Sequence, residues 1–132
     1  TGATAIGDAI TLSANALTAY EASLGPAADI KLLIDVTTDG ANNQGSNPAT
    51  VAANVTSATP AIDSVNCLGI GGAANCSWVG SSGTNFGSAP NFAAFEDSLE
   101  AKLKQEFDVP EPGTLAILGL GLLGMLASRR KQ

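Results

Sequence analysis

Ile30-Lys31-Leu32-Leu33-Ile34-Asp35-Val36-Thr37-Thr38-Asp39-Gly40 is the segment around which the other elements arrange themselves. Its aliphatic run at 30–36 is nearly continuous instead of alternating, which is how a strand covered on both faces by helices reads, so it predicts a strand of a parallel sheet. The polar segment Asp39-Gly40-Ala41-Asn42-Asn43-Gln44-Gly45 comes directly after it. That places a loop at the strand's C-terminal end, where open α/β sheets hold their ligands.

Upstream, residues 5–22 set Ile6, Ile10, Leu17 and Tyr20 at helical spacing, with Thr4 placed to cap the N-terminus and Gly25-Pro26 ending the helix. Downstream, Pro48 opens a second, weaker helix running to 58, and 64–70 reads as a second short buried strand. Residues 71–90 form a Gly/Ser/Asn loop carrying Trp78 and Phe86, with a short edge strand at 84–86. A third helix spans 91–107, with an apolar stripe of Phe92, Phe95, Leu99 and Leu103 and a Glu100–Lys104 pair on the wet side. The order helix, strand, helix, strand, helix is the back part of a doubly wound α/β domain without its front. The chain starts at Thr1 with no initiator Met or signal peptide, and it reads as an excerpt of a longer product.

Composition narrows the function. A length of 132 residues gives room for one modest domain and a tail. The formal charge is −6, and three of the six basic residues, Arg129, Arg130 and Lys131, sit at the extreme C-terminus, so the body is strongly acidic and nucleic acid is disfavoured as a partner. The absence of His removes Ser-His-Asp and Cys-His nucleophile systems, His-ligated zinc and the commonest general base. With no G-x-S-x-G either, the chain is not expected to be an enzyme. Cys67 and Cys76 lie close enough in sequence to form a local disulfide in an exported protein, and a pair of free thiols is the alternative. Asp8 reads as a helix-surface charge and Asp35 as a strand-end residue. Asn42, Asn43 and Gln44 read as turn residues, with contact to a ligand as the other option.

The clearest signal is the tail. Val109 begins V-P-E-P-G-T, followed by an uncharged run at 115–127, Ser128 and the basic cluster. Pro110 and Pro112 separate the preceding helix from the run, which is apolar on every side and belongs in lipid. At about 15 residues such a helix spans only about 22 Å, short of a roughly 30 Å hydrocarbon core. The basic end should stay cytoplasmic, leaving the acidic body outside. A permanent short anchor or a buried helix are the bland alternatives. The P-E-P motif, apolar helix and basic terminus, in that order over 109–132, resemble the PEP-CTERM sorting signal. The resemblance implies an exosortase-type membrane protease as partner, with recognition through Pro110, Glu111, Pro112, Arg129 and Arg130. It implies a transient stay in the inner membrane and delivery to the cell surface or beyond. The chain then divides into a body (1–107), a Pro-rich linker (108–113) and a sorting helix (114–132).

A second resemblance covers most of the body. T-A-I-G-D-A-I at 4–10, D-V-T-T-D-G-A-N-N-Q-G at 35–45 and the closing F-x-x-F-x-x-x-L-x-x-K-L-x-x-E-F are similar to a von Willebrand factor A domain of the bacterial DUF1194 group. That family holds a divalent metal on the C-terminal edge of the sheet through a D-x-S-x-S loop, a Thr from a second loop and an Asp from a third. Thr4 matches the second and Asp39 the third, whereas no D-x-S-x-S occurs here. This resemblance implies a surface adhesion or ligand-binding module with a Mg2+ site, open to Mn2+ or Ca2+, in its complete form, taking an extracellular protein or polysaccharide ligand. The rival reading is a structural matrix protein, associated with exopolysaccharide, that needs no metal.

Overall fold

A computed structural model describes residues 2–25 and 29–107, so the sorting helix expected at 114–132 lies outside the described residues. Helix α1 spans Ile6–Leu24, strand β1 Leu33–Thr38, helix α2 Pro48–Thr56 and strand β2 Ser64–Ile70. Strand β3 spans Asn85–Ala89 and helix α3 Phe95–Glu106, with single 3-10 turns at Ser77–Val79 and Phe92–Ala94. The sheet order is β1-β2-β3 and both pairings are parallel. The chain divides into two compact units, a body that ends at Leu99 and a second that begins at Glu100.

The aliphatic run suggests a first strand at 30–36; the strand runs later, from Leu33. Leu33 pairs with Ser64 and Thr38 with Gly69. Just before the ladder, the Leu32 N–H donates to the Asp63 carboxylate at 2.6 Å and the Asp63 N–H donates to the Leu32 carbonyl at 2.9 Å. This reciprocal clamp satisfies backbone that would otherwise be left without partners where the strands begin. Burial on both faces is expected of both strands and is found only in the second. In β1, Ile34 and Thr38 are buried while Asp35 and Thr37 are exposed, whereas Val65 to Ile70 of β2 are all buried. The difference follows from position, since β2 has a hydrogen-bonded neighbour on each side and β1 has one among the described residues.

Helix α1 turns Ile6, Ile10 and Ala14 into a core shared with Leu32, Ile34, Ala52, Ile62 and Val65. Both α1 and α2 therefore cover one face of the sheet, because side chains two apart along a strand share a face. The small residues matter here: Ala14 and Ala52 let α1 and α2 approach closely. α2 starts where the sequence predicts, with Pro48 at its first turn. The Asn47 side chain accepts from Ala49 N at 2.9 Å and Thr50 N at 3.2 Å. A second cluster, Cys67, Cys76 and Val79 with Val36 and Trp78 against it, lies toward the loop after β2. Cys67 and Cys76 are joined as a disulfide with Cα atoms 5.5 Å apart, so the 3-10 turn carrying Trp78 is tied covalently to the central strand.

The edge strand expected at 84–86 is a third parallel strand, longer and in a region where the sequence carries little signal. It joins β2 with a bulge between Cys67 and Gly69, and Gly87 of β3 adopts φ +75° to accommodate it. The approach to β3 is held by Asn66, 3% exposed, whose Oδ1 accepts from the Thr84 N–H at 2.8 Å and the Ser64 hydroxyl at 2.6 Å. The apolar stripe predicted for the last helix is only partly used: Phe95 and Leu99 are half-buried, but Phe92 is 73% exposed. In the second unit, Lys102 is buried and its ammonium donates to both carboxylate oxygens of Glu106 at 2.6 and 2.7 Å. Glu100 and Lys104 form the expected i,i+4 pair at 2.7 Å on an exposed face.

Gly7 supplies a test of how α1 sits. A Cβ at this position would run into the Ser46 carbonyl, which is backbone and cannot swing away. Gly7→Ala gains about 1 kcal/mol of helix propensity but forces an overpacked contact that costs about 1–3 kcal/mol. The expected outcome of thermal and urea melts followed by circular dichroism is a net loss of stability, and a stabilised variant would mean that α1 and the loop are not in contact.

Candidate functional site

The loop between β1 and α2 is where the chain concentrates its polar side chains, and it is bonded mostly to residues far away in sequence. Ile6 N donates to Asn42 Oδ1 at 2.6 Å, Thr4 N donates to Asn43 Oδ1 at 2.8 Å, and Asn43 Nδ2 donates to the Gly2 carbonyl at 3.1 Å. In return, Asn43 N and Gln44 N donate to the Thr4 carbonyl at 2.9 and 3.2 Å. The loop and the lead-in to α1 are thus laced together by five bonds, each spanning 36 to 41 positions or linking the same two segments. The first turn of a helix has orphan N–H groups that must find acceptors. The sequence suggests Thr4 as the N-cap of α1, but the cap position is Ala5 with no side-chain bond, and Asn42 satisfies the Ile6 N–H from across the loop.

Asp8 belongs to the same network. The sequence makes it a surface charge; in the fold its Oδ1 accepts from the Ser46 N–H at 2.9 Å. Ser46's backbone N–H and then its side chain hold the Asp8 carboxyl below the ordinary carboxylate range, against a small opposing effect of burial. Gly45 adopts φ +66° beside it, and any Cβ there would strike the Asp8 carboxylate.

Freed from capping, the Thr4 side chain has another role. Its hydroxyl lies beside Gly40, 3.4 Å from where a Cβ would stand, which is ordinary van der Waals contact. Thr4 and Asp39 line one open cleft of about 460 Å3 at the C-terminal end of β1, together with Val36, Thr38, Ile70 and Phe92. Neither the Thr4 hydroxyl nor the Asp39 carboxylate has a hydrogen-bond or ion-pair partner among the described residues. Thr38 differs: its hydroxyl donates to the Gly40 carbonyl at 2.8 Å and shapes the turn. The structure therefore brings the two sequence-matched residues to one cleft. Pro110, Glu111, Pro112, Arg129 and Arg130 lie outside the described residues.

The cleft has a narrow chemical repertoire. It offers a hydroxyl, a carboxylate and an apolar wall, and among the described residues no group of three or more His, Cys, Asp or Glu side chains could hold a metal. Two hard oxygen donors suit Mg2+ in kind, since that ion takes oxygen ligands in octahedral geometry, but do not suffice in number. The sequence points to both donors and not to the asparagine lacing, whose signal is the run of amides directly after a strand.

Comparison with known proteins identifies one part of the chain. Residues 108–131 match the PEP-CTERM protein-sorting motif, which marks the protein for export and for the cell surface or the extracellular space. Such signals are processed by exosortase, a membrane protease. No von Willebrand factor A family match covers the body, and no curated protein and no solved structure matches the chain. Among the described residues no helix is long and apolar enough to cross a membrane.

The Asp8 clamp predicts an acid limb. A carboxyl whose folded pKa is depressed binds its proton more readily in the unfolded chain, so its stabilisation is present above the unfolded value near 4. It is lost as pH falls through the folded value. Melting temperature followed from pH 6 down to pH 2 should show this loss, and Asp8→Asn, which cannot titrate, should flatten the corresponding part of the curve. An unchanged acid limb in Asp8→Asn would remove the carboxylate from the loop's support.

Proposed function

We propose that the body is the C-terminal portion of a von Willebrand A-like module, sorted to the cell surface, which binds an extracellular protein or polysaccharide ligand and performs no catalysis. The observation that carries this reading is the placement of Thr4 and Asp39 in one cleft at the C-terminal end of a parallel strand, both with unused oxygen atoms among the described residues. The parallel three-stranded sheet with helices packed on it supports the same reading.

In this reading Thr4 and Asp39 are two ligands of a Mg2+ site whose remaining donors come from a D-x-S-x-S loop outside this sequence. The ion would offer an open coordination position to an acidic group of the ligand. The residues present act as pre-positioned donors: the Asn42 and Asn43 bonds fix the Thr4 segment against the loop that carries Asp39. The rival, a matrix protein without metal dependence, makes the cleft a passive feature of the surface.

Melting temperature separates the two on a chain extended by its natural upstream sequence. A ligand that binds only the folded state at 100 times its dissociation constant stabilises it by about 2.7 kcal/mol. Mg2+ or Mn2+ in place of chelator should therefore raise the melting temperature, and Asp39→Ala should abolish the rise. No rise in the extended chain favours the matrix reading.

The tail is tested separately. Glu111→Ala should leave the body folded while the protein accumulates uncleaved in the membrane fraction, read as intact mass and loss of the extracellular form. Normal release of the Glu111→Ala protein would remove the P-E-P motif from the recognition step.

A further inference from the structure

The same loop also borders a smaller cavity of about 240 Å3, lined by Ala41, Asn42, Asn47, Pro48, Asn75 and Trp78 among others. Among the described residues no charged side chain lines it. Its three asparagines share one property. Asn42 Oδ1 accepts from Ile6 N, Asn47 Oδ1 accepts from Ala49 N and Thr50 N, and Asn75 Oδ1 accepts from Ser77 N and the Ser77 hydroxyl at 2.9 and 2.7 Å. Because backbone N–H groups can only donate, these bonds fix which end of each amide is oxygen. What the three side chains have left to offer is Nδ2. Asn47 and Asn75 Nδ2 have no acceptor among the described residues, and Asn42 Nδ2 has a long contact of 3.4 Å to the Ser46 carbonyl.

The fourth wall is an indole. Trp78 is half-buried, packed on its inner side against both core clusters, and it is held there by the 3-10 turn that the Cys67–Cys76 disulfide ties to β2. Asn75 and Trp78 therefore face Asn47 and the start of α2 across a gap whose two sides are fixed independently, one by the disulfide and one by the helix cap.

We propose that this cavity is a subsite for one neutral pyranose unit of a polysaccharide. A sugar ring presents hydroxyl oxygens that accept from side-chain NH2 groups and an axial C–H face that stacks on an aromatic ring. A site that is rich in donors, poor in free acceptors and uncharged, with one aromatic wall, matches that chemistry better than it matches a cation or a peptide amine. The volume is below the about 300–1,000 Å3 of drug-sized pockets, which limits the cavity to a single ring. The subsite uses none of Thr4, Asp39 or a metal and shares no lining residue with their cleft, so it stands or falls apart from it.

Trp78 is the single tryptophan of the chain, so its fluorescence reports this cavity without a label. The full chain, in detergent and with chelator present to exclude any metal-dependent binding, is titrated with neutral tetrasaccharides of glucose, mannose and galactose. The expected result is a saturable change in Trp78 emission with at least one of them at a dissociation constant on the order of 1 mM, about −4 kcal/mol. Asn47→Asp and Asn75→Asp together keep the oxygens that hold the helix cap and the turn and remove two NH2 donors. The double variant should melt like the parent and bind at least about tenfold more weakly, a difference of about 1.4 kcal/mol. Absence of a saturable change with all three sugars overturns the proposal, as does parental affinity in a folded double variant.

Discussion

The polar loop after β1 has to stay seated against the residues that lead into α1, and both the helix start and the neighbouring recesses are built on that contact. It joins segments about 40 positions apart and is made almost wholly by asparagine amides, the Thr4 carbonyl and the Asp8 carboxylate. Each bond is worth about 0.5–1.5 kcal/mol net in isolation. Leaving the buried Ile6 N–H without a partner would cost more than its bond contributes, because an unmet buried backbone group carries the full desolvation penalty. The network is held less by what it gains than by what its loss would expose. Gly7 and Gly45 keep the space clear, since each sits where a side chain would strike Ser46 or Asp8.

Two recesses border this segment: Asp39 lines the cleft that Thr4 also lines, and Ala41 and Asn42 line the Asn-lined cavity. Short polar side chains suit that position. An asparagine whose oxygen is bonded to backbone still has an amine to present, and a glycine allows backbone to approach where a larger residue would fill the recess. The low aromatic content of the chain, 5%, fits such a design, since the core is closed by Ile, Val and Ala packed between α1, α2 and the sheet and the single Trp forms a cavity wall.

Helices and the central strand are legible in the sequence because their signals are local. The spacing of Ile6, Ile10 and Leu17 and the Pro48 start of α2 depend on residues within a turn or two, although Tyr20 of the same predicted stripe is exposed. β2 reads as 64–70 in sequence and in structure alike. β3 is nearly invisible because Asn85-Phe86-Gly87-Ser88-Ala89 has no aliphatic run; it becomes a strand because β2 offers an edge and Asn66 anchors Thr84 beside it. The loop lacing escapes sequence reading for a related reason. An amide run after a strand is a turn signal on its own, and only the fold reveals that its acceptors serve another segment. The cap expected at Thr4 is absent because a cap is a local rule and this helix start is satisfied from a distance.

The two ends of the chain make consistent demands on each other. A protein delivered through a membrane to the outside meets an oxidising space, and there a short loop closed between Cys67 and Cys76 persists, where reducing cytosol would open it. The same bridge ties the turn that carries Trp78, which is one wall of the Asn-lined cavity, to the central strand. Acidic net charge with the basic residues 129–131 gathered at the far terminus works in the same direction. It separates the part of the chain that the sorting machinery handles from the part that stays on display. A surface of small polar side chains with few cations interacts weakly with phosphate-bearing partners.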